Sequence, residues 1–108
     1  FRFREILQRH GHDVIEASNG ADGVAVARAE IPDLILMDVV MPGMNGFQAT
    51  RQITRGTETS HIPVVIVSTK DQETDRVWGK RQGARDYLTK PIDEAALMQV
   101  IRQLLSAG

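Results

Sequence analysis

The chain has 108 residues, 42% hydrophobic and 25% charged, with a formal net charge of −1 from 13 basic and 14 acidic side chains. That is the size and composition of one globular domain, large enough to bury a core without covalent staples. The absence of cysteine removes disulfides, thiol nucleophiles and cysteine–zinc sites and fits a cytoplasmic location. No apolar run approaches the roughly 18 residues of a membrane span, no basic-then-apolar leader is visible, and the even charge balance argues against a general nucleic-acid binder.

Phe3, Ile6 and Leu7 share one helical face, and Gly11 reads as the stop of that helix. Asp13-Val14-Ile15-Glu16-Ala17 reads as a short strand. Asn19 is placed to cap a helix over Gly20 to Glu30, with Val24, Ala25 and Ala27 on its inner side and Pro32 at its end. Leu34-Ile35-Leu36-Met37 and Val64-Val65-Ile66-Val67 are apolar without alternation, as strands covered on both faces are. Between them Met41 to Gly46 turns tightly, with two glycines available for positive φ, and Gly46 to Arg55 reads as a helix with Phe47, Thr50 and Ile53 near one face. A helix over Asp71 to Gln82 follows, then a strand, Asp86-Tyr87-Leu88-Thr89. A last helix begins at Asp93, with Leu97, Val100, Ile101, Leu104 and Leu105 at helical spacing and acids at its positive end.

Strands that alternate with helices imply right-handed crossovers and a doubly wound, flavodoxin-like parallel sheet between helix layers. Ligands of such sheets bind beyond the carboxyl ends of the strands, so the residues just after each apolar run matter most. Asp38 follows the first run. A carboxylate there is a turn or cap residue, a cation ligand, or a nucleophile. Ser68 follows the second run and either bonds a local turn or donates to an anion at the same edge. Lys90 follows the last strand. It either lies in solvent or reaches the crevice to pair with Asp38 or with phosphate oxygens. X-Pro bonds are mostly trans, although a cis Lys90-Pro91 bond would turn the lysine inward. Each signal is weak alone. Together, carboxylate, hydroxyl and ammonium at one sheet edge form a set that could accept a phosphoryl group, with Mg²⁺ as the cation suited to oxygen ligands.

Leu34 to Gly46 around Asp38, Ile62 to Ser68, and Gly83 to Pro91 together resemble a CheY-like receiver domain of two-component signalling, in order and spacing and over the whole chain. Thr69 to Gly83 is further similar to the PilH type of receiver, found in the chemosensory system that controls type IV pili and twitching motility. The resemblance implies that Asp38 is the phosphoacceptor of a sensor histidine kinase, that Ser68 is the switch hydroxyl, and that Lys90 pairs with Asp38 and then with phosphate. It implies that Tyr87 is the aromatic switch residue that packs inward on activation, and that Mg²⁺ is held by Asp38 and the backbone carbonyl of Val40. The output face, for a downstream or motor-associated protein, would carry Arg76, Lys80, Arg81 and Arg85. Monomer or weak dimer is the expected state.

The chain departs from the family pattern in two respects. Val40 and Lys70 occupy the positions that tune acyl-phosphate lifetime, and the side chain of Val40 cannot orient water. Receivers also begin with a central strand that ends in two acids. This chain starts at Phe1, inside the first helix, so that strand and its loop, roughly five to ten residues, are expected to be missing. Asp22, Asp33 and Asp71 do not sit at the right strand end to replace the pair. A chain without it is expected to bind Mg²⁺ poorly and to expose unpaired backbone groups. Two readings result: a phospho-switch acting through Asp38, Ser68 and Tyr87, or a degenerate receiver that binds a partner without phosphorylation. A hydrolase on this fold would need a second carboxylate where Val40 stands. His10, His12 and His61 are too scattered for a metal cluster. Trp78 reads as packing on its helix or, alternatively, as contacting a partner, and Met37, Met41, Met44 and Met98 read as core or turn residues.

Overall fold

The computed structural model describes residues 3–39 and 45–106. Among them the element order is α1 (Phe3–Arg9), α2 (Gly20–Glu30), β1 (Ile35–Asp38), α3 (Gly46–Arg55), β2 (Val64–Ser68), α4 (Glu73–Arg81), β3 (Asp86–Thr89) and α5 (Glu94–Ser106). The three strands form one parallel sheet in the order β1-β2-β3. The register puts Met37, Ile66 and Tyr87 in one row across the sheet. Val40 and the turn residues Met41 to Met44 lie outside the described residues.

Alternation along the strands divides the core into two layers. Met37, Val64, Ile66 and Tyr87 pack with Val24 and Ala27 of α2 and Ala49 and Ile53 of α3. Leu34, Leu36, Val67 and Leu88 pack with Ile6 of α1 and Leu97, Met98 and Ile101 of α5. The sheet is thus sandwiched between helices, as the unalternating apolar runs require. All five residues of β2 are buried, whereas β1 is only half-buried over most of its length.

Local signals account for most boundaries. The Asn19 side chain accepts the Asp22 N–H at 2.8 Å, and Gly11 adopts φ 86 at the end of the first helix. Helix α2 closes one residue before Pro32, with Ile31 in the left-handed region at φ 45 and its N–H on the Ala27 carbonyl. Asp93 precedes α5 and accepts the Ala96 N–H at 3.1 Å, so it caps the helix from outside. Helix α4 starts at Glu73, two residues later than the expected Asp71, behind a reciprocal pairing of Gln72 with Asp75. Ala25 is exposed and does not belong to the inner face of α2. Of Val24, Ala25 and Ala27 only the first and last are buried, because the 3.6-residue period turns position 25 toward solvent.

The expected strand over Asp13–Ala17 does not form. A strand exists by pairing, and β2 is the only sheet neighbour of β1 among the described residues. The segment stays irregular, tethered to α1 by an Arg4–Glu16 ion pair at 3.2 Å. Between it and β1 lies a cavity of about 930 Å³, with Leu7, Val14, Ile15, Ile35, Met37 and Ile101 in its wall. Ile15, Ile31 and Leu105, large apolar residues left exposed, also border it. A chain lengthened upstream by an apolar strand is expected to unfold at higher urea with a steeper dependence on urea, because more surface is buried in the folded state. An unchanged slope would show that the added strand does not enter the cavity.

Candidate functional site

Strand ends and tight turns bring the site residues together. The Lys90 N–H donates to the Ser68 carbonyl at 2.7 Å, which docks the end of β3 on the end of β2. The Lys90-Pro91 bond is cis, the less expected isomer. The Lys90 ammonium then reaches across β2 and donates to Asp38 Oδ2 at 2.9 Å. Both side chains are partly exposed, at 29% and 40%, so the pair is solvent-screened and adds little to stability. Its value is positional, since it fixes a cation beside a carboxylate at the open edge of the sheet.

The beginning of α3 is pressed against the end of β1. The Gly46 N–H donates to the Val39 carbonyl at 3.0 Å, and a Cβ on Gly46 would lie 2.2 Å from the Asp38 carbonyl oxygen and 2.6 Å from Val39 Cα. Close approach, not the positive φ expected of this turn, is what requires glycine at 46, since Gly11 and Gly83 are the described glycines with positive φ. Asn45 and Gln48 form a capping box, with bonds of 2.9 and 3.1 Å, that fixes the helix start.

The side chain of Ser68 is fully buried. Its Oγ accepts the Lys70 N–H at 3.1 Å, so the local-turn reading of this hydroxyl is realised. Tyr87 is 3% exposed and points inward, its O–H donating to the Lys70 carbonyl at 2.8 Å. Lys70 thus touches both switch candidates through its backbone. Burial raises the Tyr87 phenol above its ordinary pKa, with Asp75 and Asp71 acting in the same direction and the Ser68 hydroxyl and Arg76 against it.

Of the basic residues expected on an output face, Lys80, Arg81 and Arg85 are exposed. Arg76 is half-buried and turned onto β3, with Nη2 2.8 Å from Thr89 Oγ1. That contact was not legible in the sequence, although the i, i+3 spacing of Arg76 and Gly79 puts the two on one face of α4. Trp78 is about half exposed and does not pack as a core residue. His10 approaches Glu94 at 3.4 Å, and no group of three metal-ligating side chains occurs among the described residues.

That last observation bears on Mg²⁺. A hard cation of this kind needs several oxygen donors. Of the two ligands expected at the site, Asp38 already faces Lys90 and Val40 is not described. The described donor set therefore does not make a Mg²⁺ site.

The sequence profile of the response regulator receiver domain matches residues 1–102. The chain belongs to the response regulator receiver family. Among curated receivers and receiver-containing proteins, it is 64% identical over 106 residues to the PilH protein of Pseudomonas aeruginosa, covering 98% of this chain and 88% of that one. It is 43% identical over 93 residues to the response regulator PleD of Caulobacter vibrioides, where the match spans 86% of this chain and 20% of that protein. Its fold superposes on the receiver domain of the sensor histidine kinase PA1611 from P. aeruginosa, described with magnesium in its active-site cleft. The TM-score is 0.87 at 27% identity, covering 94% of this chain and 84% of that one. The chemotaxis protein CheY4 of Vibrio cholerae gives 0.86 at 28% identity, with the same coverage. The CheY-like receiver fold and the PilH-type resemblance are thereby established.

Gly46→Ala is expected to destabilise the receiver by about 1–3 kcal/mol in urea denaturation, because the new methyl collides with backbone that cannot yield. The raised Tyr87 pKa has a signed consequence. The folded state favours the neutral phenol, so the associated stability is full below the unfolded pKa of about 10 and is lost as pH rises through the higher folded value. Urea midpoints are expected to fall more steeply as pH rises above about 10 in the wild type than in Tyr87→Phe. Phenolate absorbance can be followed without ambiguity because Tyr87 is the single tyrosine.

Proposed function

We propose that this receiver is a phospho-switch in which Asp38 takes a phosphoryl group from a sensor histidine kinase. The observation that carries the reading is the 2.9 Å contact between Lys90 and Asp38, which joins residues 52 apart at the open edge of the sheet. An Asp38 carboxylate oxygen attacks phosphorus, the P–N bond of phosphohistidine breaks, and the imidazole leaves with the electron pair. Lys90 then neutralises phosphoryl oxygens, and the Ser68 hydroxyl exchanges the Lys70 N–H for one of them. Because Lys70 also accepts from Tyr87, a change at Ser68 passes through one residue to the tyrosine and the α4–β3 surface. The domain signals by a shift between conformations and not by turnover of a substrate.

The identity with PilH supports control of type IV pili as the pathway, with a cytoplasmic chemosensory kinase upstream and a pilus-associated or motor-associated protein as output. A second reading, a receiver that binds its partner without phosphorylation, is favoured by one observation: no group of three metal-ligating side chains occurs among the described residues. Intact-mass measurement after incubation with a small-molecule phosphodonor and Mg²⁺ separates the two. A phosphoryl adduct on the wild type that is lost in Asp38→Ala is the expected result. No adduct here, and none after an acidic upstream strand is added, would leave the phosphorylation-independent reading. In the chain without such a strand, Mg²⁺ titration by calorimetry is expected to show weaker binding than in the extended chain.

A further inference from the structure

The inward position of Tyr87 has an unexpected neighbour. Arg76 donates from Nη1 to the Tyr87 carbonyl at 3.3 Å and from Nη2 to Thr89 Oγ1 at 2.8 Å. Its Cζ lies 5.4 Å from the centroid of the Tyr87 ring, within cation–π range. One turn later Gly79 presses on the same ring. A Cβ there would lie 3.1 Å from Tyr87 Cδ2 and 2.9 Å from Ile66 Cδ1. The phenol oxygen is held at its far end by the Lys70 carbonyl. Helix α4 therefore covers the ring, and its one charged contact also ties it to the backbone and side chain of β3.

We propose that Arg76 is a positioning residue that clamps Tyr87 inward, so that the tyrosine swings out only when the guanidinium leaves its two acceptors on β3. The planar fork is what the task needs. It serves two oxygens at once while stacking on a ring, and a lysine ammonium, a compact point charge, does not reproduce that. The inward tyrosine is then set by α4 as well as by the phosphorylation site. A partner that pulls on α4 and a phosphoryl group on Asp38 act on the same side chain from opposite ends. This consequence rests on Tyr87 being the switch residue proposed above, whereas the clamp itself stands on the contacts.

The sole tyrosine makes the test direct. The full chain is labelled with meta-fluorotyrosine, and its single fluorine resonance is recorded in light and heavy water, whose difference reports solvent exposure of the ring. The wild type is expected to show a small solvent shift. Arg76→Met, which keeps the apolar stem, is expected to move the shift most of the way to that of the urea-unfolded chain. Arg76→Lys should resemble Arg76→Met, and Thr89→Val, which removes one acceptor, should fall between. Circular dichroism confirms that each variant is folded, and Thr89→Val keeps the test available if a substitution at 76 unfolds the chain. A wild-type shift in Thr89→Val together with either substitution at 76, or full protection in Arg76→Lys, would overturn the clamp. Failure of the phospho-switch reading shows instead in the intact mass of Asp38 and leaves the fluorine result unchanged.

Discussion

Strand β2 has almost no contact with water, since Val64 through Ser68 are each between 0% and 2% exposed. Both neighbouring strands take their register from it, and both helix layers close over its faces. Burying a five-residue strand on both sides leaves its backbone groups no solvent, so pairing with β1 and β3 is compulsory. Three chain segments far apart in sequence must therefore end at one edge. Asp38, Ser68 and Lys90 are each the residue at or just beyond the end of one of those strands, and their meeting follows from that constraint.

At that edge the protein uses short local devices to aim side chains. Gly46 lets α3 begin against the backbone of Asp38 and Val39. The bond from the Lys90 N–H to the Ser68 carbonyl sets where the lysine leaves β3. The Lys70 backbone takes one hydrogen bond from Tyr87 and gives one to Ser68, so a buried hydroxyl and a buried phenol share one neighbour. The ion pair between Lys90 and Asp38 contributes little stability because water reaches both partners. Under the proposed phospho-switch, that weakness suits a contact rearranged when a phosphoryl charge arrives.

The outer side of β1 shows the reverse case, since β2 is its only sheet neighbour among the described residues. β1 reads as a strand to be covered on both sides, yet Leu34, Ile35 and Leu36 remain only half-buried. The segment 13–17 has β-branched residues and a strand-like composition but no ladder. Propensity is weak beside the need for a partner. The cavity between them is bordered by both stretches.

The sequence by itself determined the alternation of helices with apolar strands, hence a parallel sheet between helix layers, and it placed Asp38, Ser68 and Lys90 at the carboxyl ends of the strands. Those features are legible because they depend on period, on turn residues and on position relative to a strand end, all local properties. The helices over 20–30 and 46–55 and the strand over 86–89 were readable to the residue for the same reason. The tertiary structure decided what depends on neighbours distant in the chain. It withheld the strand at 13–17 for want of a partner, and it turned Trp78 outward. Where the family resemblance placed Arg76 on an output face, it folded Arg76 down onto Tyr87 and Thr89. No pattern along the chain announces that contact, because it exists only once α4 has packed across β3 and Gly79 has let the two come close.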